Sequence, residues 1–152
     1  MLKKVLIIDD DDLAHHLLTV TLTDSKFVEQ VVVLTNGRDG LNYFEKLSIS
    51  GGAEAPELVL LDLKLPTISG WEFLDEFGSK YQQMYPTTQF CILSNSVNPK
   101  DQFKSMDYSN VITFLDKPLV PQDLDRLKNR DELKMYFSAP YHSDQKELVE
   151  VS

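Results

Sequence analysis

The sequence predicts an α/β protein in which a parallel β-sheet is covered by helices on both faces. Five short apolar runs are rich in Val, Ile, Leu and Phe and do not alternate strictly with polar residues, as expected for strands buried on both faces. Segments with helical spacing separate these runs, so strand and helix alternate along the chain. The predicted strands are Val5 to Ile8, Val31 to Leu34, Leu58 to Leu61, Phe90 to Leu93, and Val111 to Leu115.

The first three connections each contain apolar residues three or four positions apart and begin at a polar residue or a glycine, a pattern that predicts amphipathic helices. The helix starts are expected at Asp12, at Asn36-Gly37 and at Ser69-Gly70. The predicted apolar stripes are Leu13, Leu17 and Val20 in the first helix, Leu41, Phe44 and Leu47 in the second, and Trp71, Leu74 and Phe77 in the third.

The last two connections give weaker patterns. The fourth, residues 98–107, has Phe103 and Met106 as its only large apolar residues, which predicts a short or mobile helix. The fifth begins at Pro121, and proline is favoured at the first helical position. Its predicted apolar residues are Leu124, Leu127 and Leu133.

Length and composition restrict the class of protein. A chain of 152 residues that is 42% hydrophobic suits one domain with a core of its own. A net charge of −9 argues against direct nucleic-acid binding, which needs Lys and Arg on the phosphates. No apolar run is long enough for a signal peptide or a membrane span, and the single cysteine, Cys91, cannot form an intrachain disulfide. We therefore expect a soluble, cytoplasmic protein.

Two segments are predicted to be irregular. Ser48 to Pro56 contains Gly51-Gly52 and has the composition of a loop. Residues 138–152 lack the density of apolar residues that a core requires. We expect one domain over residues 1–137, followed by a flexible C-terminal tail over residues 138–152.

Acidic residues follow two of the predicted strands. Asp9 and Asp10 come directly after the first apolar run, and Asp62 comes directly after the third. Because the carboxyl ends of parallel strands lie at one edge of the sheet, these side chains should meet there. Clustered carboxylates repel one another unless a cation relieves them, which predicts a divalent metal site. Ser94 after the fourth run and Lys117 after the fifth are expected at the same edge.

These motifs resemble those of the receiver domains of two-component response regulators, over about residues 3–135. One motif alone is modest, but four in this order are highly specific. The resemblance implies a flavodoxin-like, doubly wound sheet of strand order 2-1-3-4-5 in a stand-alone, single-domain protein. It is carried by Val-Leu-Ile-Ile-Asp-Asp-Asp at residues 5–11, by residues 58–74 around Asp62, by Cys-Ile-Leu-Ser-Asn at residues 91–95, and by Phe-Leu-Asp-Lys-Pro at residues 114–118.

The resemblance assigns a role to each residue at the strand ends. Asp62 would accept a phosphoryl group from a phosphohistidine on a sensor histidine kinase or a histidine phosphotransfer protein. Asp10 and Asp62 would bind Mg²⁺ directly, Asp9 would bind it through water, and the backbone carbonyl of Lys64 would complete the ligand set. Lys117 would pair with Asp62 before transfer and with the phosphoryl oxygens afterwards.

The resemblance also implies a switch. Ser94 would turn toward the phosphoryl group, and Phe114 would change rotamer to fill the space that is vacated. This would shift the surface formed by helix 4, strand 5 and helix 5 and so control the binding of a downstream protein. Three residues depart from the commonest family pattern: Asn95 and Lys64 bear on the phosphoryl lifetime, and Phe114 lacks the hydroxyl of the frequent tyrosine.

Other interpretations remain open. A receiver-like interaction module that is never phosphorylated would have the same fold. A phosphatase of the haloacid dehalogenase type also uses an aspartate at a strand end with Mg²⁺, but that class has a second aspartate where this chain has Lys64. Outside the motifs, Asp11 and Asp12 are predicted to be solvated, with Asp12 capping the first helix. We interpret His15, His16 and His142 as structural rather than metal-binding.

Overall fold

The computed structural model describes residues 1–51, 54–95 and 98–138. It contains five strands and five helices in strict alternation. The strands are β1 (Leu2–Ile8), β2 (Val28–Leu34), β3 (Leu58–Asp62), β4 (Gln89–Ser94) and β5 (Val111–Asp116). The helices are α1 (Asp12–Asp24), α2 (Gly37–Ile49), α3 (Gly70–Lys80), α4 (Pro99–Ser105) and α5 (Pro121–Lys128).

The five strands form one parallel sheet in the order β2-β1-β3-β4-β5. The predicted fold class and strand order are therefore confirmed. The register pairs Ile8 with Leu34 on one side and with Leu61 on the other, so three strands end side by side. This alignment places the residues that follow β1 and β3 at one edge of the sheet.

Each face of the sheet is covered by its own apolar cluster. One cluster joins Leu18 and Leu22 of α1 and Leu124 and Leu127 of α5 to the sheet. The other joins α2 and α3 to the opposite face, with Phe44 at the centre of a group of ring contacts that includes Phe77 at 4.9 Å. The sheet is therefore buried on both faces, which explains why its strands do not alternate between apolar and polar residues.

The predicted apolar stripe of α1 is wrong. Leu13, Leu17 and Val20 are exposed, by 68%, 50% and 41%, and the buried residues of the helix are Leu18 and Leu22. The helix has leucine or another apolar residue on most of its circumference, so spacing alone does not select the face that packs on the sheet. The stripe of α2 is confirmed, with Leu41 and Phe44 buried and Leu47 half-buried, and so is that of α3.

The loop before β3 and the weakly patterned helix α4 differ in part from the prediction. α2 continues through Ser48 and Ile49, so the loop before β3 starts later than expected, and residues 52–53 of that loop lie outside the described residues. α4 is short, as predicted, but Phe103 and Met106 are both exposed. The tail is described only as far as Ser138.

Candidate functional site at the carboxyl edge of the sheet

Three carboxylates converge at the carboxyl edge. Asp62 is the last residue of β3, and Asp9 and Asp10 directly follow β1. One oxygen from each of the three side chains lies within 4.8 Å of the others. Asp9 is buried, Asp62 is half-buried and Asp10 is exposed, so the cluster opens from the end of the sheet toward solvent.

Lys117 brings a positive charge into this cluster. Its Nζ lies 2.5 Å from Oδ2 of Asp9 and 3.0 Å from Oδ2 of Asp62. Asp9 Oδ2 has no other hydrogen-bond partner among the described residues. The lysine follows β5, and its backbone N–H donates to the carbonyl oxygen of Ser94 at 2.9 Å, which joins the ends of β4 and β5. A single ammonium group thus bridges two of the three carboxylates.

Burial and the ion pair shift the pKa values in this cluster. Burial raises the pKa of Asp62, and the neighbouring ammonium of Lys117 only partly offsets this effect. Burial alone would lower the pKa of Lys117, but the hydrogen bonds and the negative charges of Asp9 and Asp62 together outweigh burial and raise it. Lys117 is therefore held in its charged form beside Asp62.

The loop after β3 fixes Asp62 in place. Oδ1 of Asp62 accepts a hydrogen bond from the backbone N–H of Lys64 at 3.2 Å. The loop then closes with a hydrogen bond from the N–H of Gly70 to the carbonyl oxygen of Leu63 at 2.8 Å. A Cβ atom at Gly70 would lie 2.6 Å from the backbone oxygen of Asp62, so only glycine permits this close approach.

A shallow cavity of about 240 Å³ opens over the carboxylates. It is lined by Asp10, Asp62, Lys64, Ser94 and Asn95. Ser94 is buried at the end of β4. Phe114 lies outside the cavity, half-buried in β5, where it pairs in register with Ile92 and packs against the cluster under α2 and α3.

Two contacts near the site were not predicted. The cap of α1 is Asp11, not Asp12: the Asp11 side chain accepts hydrogen bonds from the N–H groups of Leu13 and Ala14. In a run of four aspartates the pattern alone does not fix the cap to a single residue. Nε2 of His15 contacts the backbone oxygen of Asp9, because one turn of α1 returns the side chain toward the end of β1.

The charges of the cluster fit a divalent cation. Three carboxylates and one ammonium leave two negative charges uncompensated, and their oxygens are the hard ligands that Mg²⁺ prefers. Asp9, Asp10 and Asp62 are the described residues able to hold such an ion.

Comparisons with known proteins identify the family. Residues 5–128 match the model of the response regulator receiver domain. The chain is 30% identical, over 88% of its length and 83% of the relative, to a probable methanogenesis regulatory protein, FilR2, of Methanothrix harundinacea. It is 33% identical to a two-component response regulator from Cytophaga hutchinsonii, with a TM-score of 0.78 over 84% of this chain and 95% of that one. The phosphorylated cyanobacterial phytochrome response regulator RcpA is 28% identical, with a TM-score of 0.67 over 83% and 89% of the two chains.

The family match and the fold define the class of the protein, a signalling protein of the phosphorylation-dependent response regulator type. The chain belongs to the response regulator receiver domain family of two-component systems. Such domains interact with histidine kinases and with downstream targets, and they commonly bind Mg²⁺ at an acidic pocket. Among the described residues, no helix has the length and apolar character needed to cross a membrane.

Proposed function

We propose that the protein is a switch of a two-component phosphorelay in which Asp62 accepts a phosphoryl group from a phosphohistidine. The observation that carries the proposal is the convergence of Asp9, Asp10 and Asp62 within 4.8 Å, with Lys117 at 3.0 Å from Asp62. A carboxylate at neutral pH is a nucleophile that needs no general base. Positioning and charge neutralisation, the main requirements of phosphoryl transfer, are what these residues supply.

The transfer exchanges one bond to phosphorus for another. An oxygen of Asp62 forms the new O–P bond while the N–P bond of the donor breaks, and the imidazole that leaves takes up a proton. Lys117 then moves its charge from the carboxylate to the phosphoryl oxygens. Asp9 keeps Lys117 oriented during this change, because their ion pair does not involve Asp62.

Mg²⁺ is the proposed cofactor. Asp10 and Asp62 would hold it directly, Asp9 through water, and the backbone carbonyl of Lys64 would complete the protein ligands. When bound, the ion neutralises negative charge on the phosphoryl oxygens. The two uncompensated charges of the cluster support this assignment.

The proposed output is a change of surface. Ser94 turns toward the phosphoryl group from the wall of the same cavity, and Phe114, one strand away, changes rotamer. The surface of α4, β5 and α5 then presents a different shape to a downstream protein. The partners we propose are a sensor histidine kinase or a histidine phosphotransfer protein and a protein target, all in the cytoplasm, without direct nucleic-acid or membrane contact. Slow self-dephosphorylation ends the signal.

Intact-mass measurement tests the proposal. Incubation with acetyl phosphate and Mg²⁺ should add one base-labile phosphoryl group to the wild-type chain. Asp62→Asn should add none. Asp12→Asn is the matched control, because it makes the same change at a fully exposed aspartate two residues after Asp10, and it should react like wild type.

The alternatives predict different outcomes. If the wild-type chain forms no adduct at Asp62, the protein is a receiver-like interaction module and the switch is refuted. If it hydrolyses a phosphate monoester over many turnovers, it is a phosphatase.

A further inference from the structure

α4 is attached to the rest of the fold by few contacts. It has only seven residues, and Ser105 is its only buried one. Phe103 in the helix and Met106 at its C-cap are 75% and 77% exposed and so contribute little packing. The helix therefore depends on other interactions to keep its position.

A set of side chains joins α4 to α3. Nζ of Lys104 lies 4.7 Å from the ring centroid of Trp71. The ring of Tyr108, in the turn between α4 and β5, is stacked on Trp71 with a centroid separation of 5.6 Å. The hydroxyl of Tyr108 donates to Oδ1 of Asp75 at 2.7 Å. Trp71 and Asp75 are four residues apart on α3 and thus share one face of that helix.

The α3 residues and the α4 residues of this contact are connected to Asp62 in different ways. Trp71 follows Gly70, which is packed against the backbone oxygen of Asp62 and hydrogen-bonded to Leu63, so the start of α3 is held close to Asp62. On the α4 side, Ser94 and Asn95 line the cavity and precede α4 in the chain. A shift of Ser94 and Asn95 toward Asp62 would displace α4 relative to α3 and disturb the stacked rings.

We propose that Lys104, Trp71, Tyr108 and Asp75 form a latch that holds α4 against α3 while Asp62 is unphosphorylated, and that the latch opens when Asp62 is phosphorylated. The second half of this inference rests on the proposed function. The latch offers a direct readout, because Trp71 is the only tryptophan in the chain. Cation–π and aromatic contacts of this kind are individually weak, which suits a contact that must open.

Hydrogen exchange tests the resting contact without phosphorylation. In Lys104→Gln, the backbone amides of α4 should exchange about threefold faster than in wild type, the change expected for loss of one exposed cation–π contact. Tyr108→Leu removes the stack and should have a larger effect. Lys100→Gln is the matched control, since Lys100 is exposed on the same helix and makes no contact with Trp71. Equal exchange in all four proteins would overturn the latch.

Fluorescence tests the opening. With acetyl phosphate and Mg²⁺, acrylamide should quench the fluorescence of Trp71 more strongly, and the increase should follow the phosphorylated fraction that intact-mass measurement gives for the same sample. An adduct at Asp62 with unchanged quenching would refute the opening and leave the proposed function intact. A wild-type chain that forms no adduct refutes the proposed function and the opening together, whereas the resting contact is decided by hydrogen exchange alone.

Discussion

Replacing Lys117 by methionine removes the positive charge that bridges Asp9 and Asp62. Methionine keeps the unbranched, apolar part of the side chain, so the change is mainly one of charge. The lysine side chain is only 9% exposed, and those of Asp9 and Asp62 are 2% and 12% exposed, so water replaces little of the lost interaction. Removing one partner of such a buried ion pair typically costs about 3–5 kcal/mol.

Protonation of an aspartate limits the loss of stability that Lys117→Met causes. A carboxylate left without a partner escapes its unfavourable charge by taking up a proton, and neutralising one aspartate at pH 7 from an ordinary pKa of about 3.9 costs about 4 kcal/mol. We therefore expect Lys117→Met to lower the free energy of unfolding by about 2–4 kcal/mol when Mg²⁺ is removed with EDTA. Urea denaturation followed by circular dichroism measures this quantity.

Mg²⁺ should change the difference in stability between Lys117→Met and wild type. The variant offers three carboxylates without a competing ammonium, so it should bind the cation more tightly and gain more stability from it than wild type does. Lys64→Met is the matched control, because Lys64 lines the same cavity, is exposed and makes no ion pair within the described residues. Its cost should stay within about 0.5 kcal/mol. Equal stability of Lys117→Met and wild type in EDTA, or equal stabilisation of these two proteins by Mg²⁺, would contradict the role assigned to Lys117.

Three further predictions concern single residues. Lys26 lies just beyond the C-cap of α1 and has a positive φ of 54°. The N–H groups of Lys26 and Phe27 donate to the carbonyl oxygens of Thr23 and Leu22, so Lys26→Gly should keep this helix end and stabilise the protein by about 0.5–1 kcal/mol in thermal or urea denaturation. The same change at Lys46, exposed within α2, should cost about 1 kcal/mol, and a loss at both positions would contradict this account. Burial raises the pKa of the Cys91 thiol, so Ellman's reagent should react with the native protein only at the rate of unfolding, and rapid native reaction would show that the thiol is accessible. Burial, together with the Asp75 carboxylate, raises the pKa of Tyr108 from 10.0 to about 12. Because the pKa of Tyr108 is higher in the folded than in the unfolded state, the stability that the protonated phenol contributes is complete below pH 10.0 and is lost as the pH rises through about 12. A spectroscopic titration of the tyrosines should show a phenolate step near pH 12 in wild type that is missing in Tyr108→Phe. A step that persists in the variant would contradict the assignment to Tyr108.

The strands could be predicted from apolar runs because their central residues are buried on both faces. The runs gave the ends of β1 and β2 correctly but missed their beginnings at Leu2 and Val28, which pair with each other in the sheet. In both strands, polar residues such as Lys4 and Gln30 interrupt the apolar pattern while their backbones continue the hydrogen-bonded ladder. The apolar pattern shows which residues are buried, whereas the backbone hydrogen bonds of a strand continue past the buried residues.

The positions of the site residues could also be predicted, because a parallel sheet brings the residues after each strand to one edge. That rule needs no side-chain geometry, and Asp9, Asp10, Asp62 and Lys117 do meet there. The buried face of α1 could not be predicted in the same way. Its apolar residues occupy overlapping stripes, and the choice between them depends on the shape of the sheet surface that the helix meets.

The loop from Asp62 to Gly70 explains why a change at the cavity should move α4 and not α3. Ser69 caps α3 and exchanges hydrogen bonds with Glu72, and the hydroxyl of Thr67 accepts a hydrogen bond from the N–H of Arg38 in α2. The start of α3 is therefore fixed to the loop, to α2 and to the backbone beside Asp62. α4 has a single buried residue and is joined to α3 through the side chains around Trp71. Of the two helices beside the cavity, α4 is therefore expected to be displaced more readily, because its contacts are weak, few and at the surface.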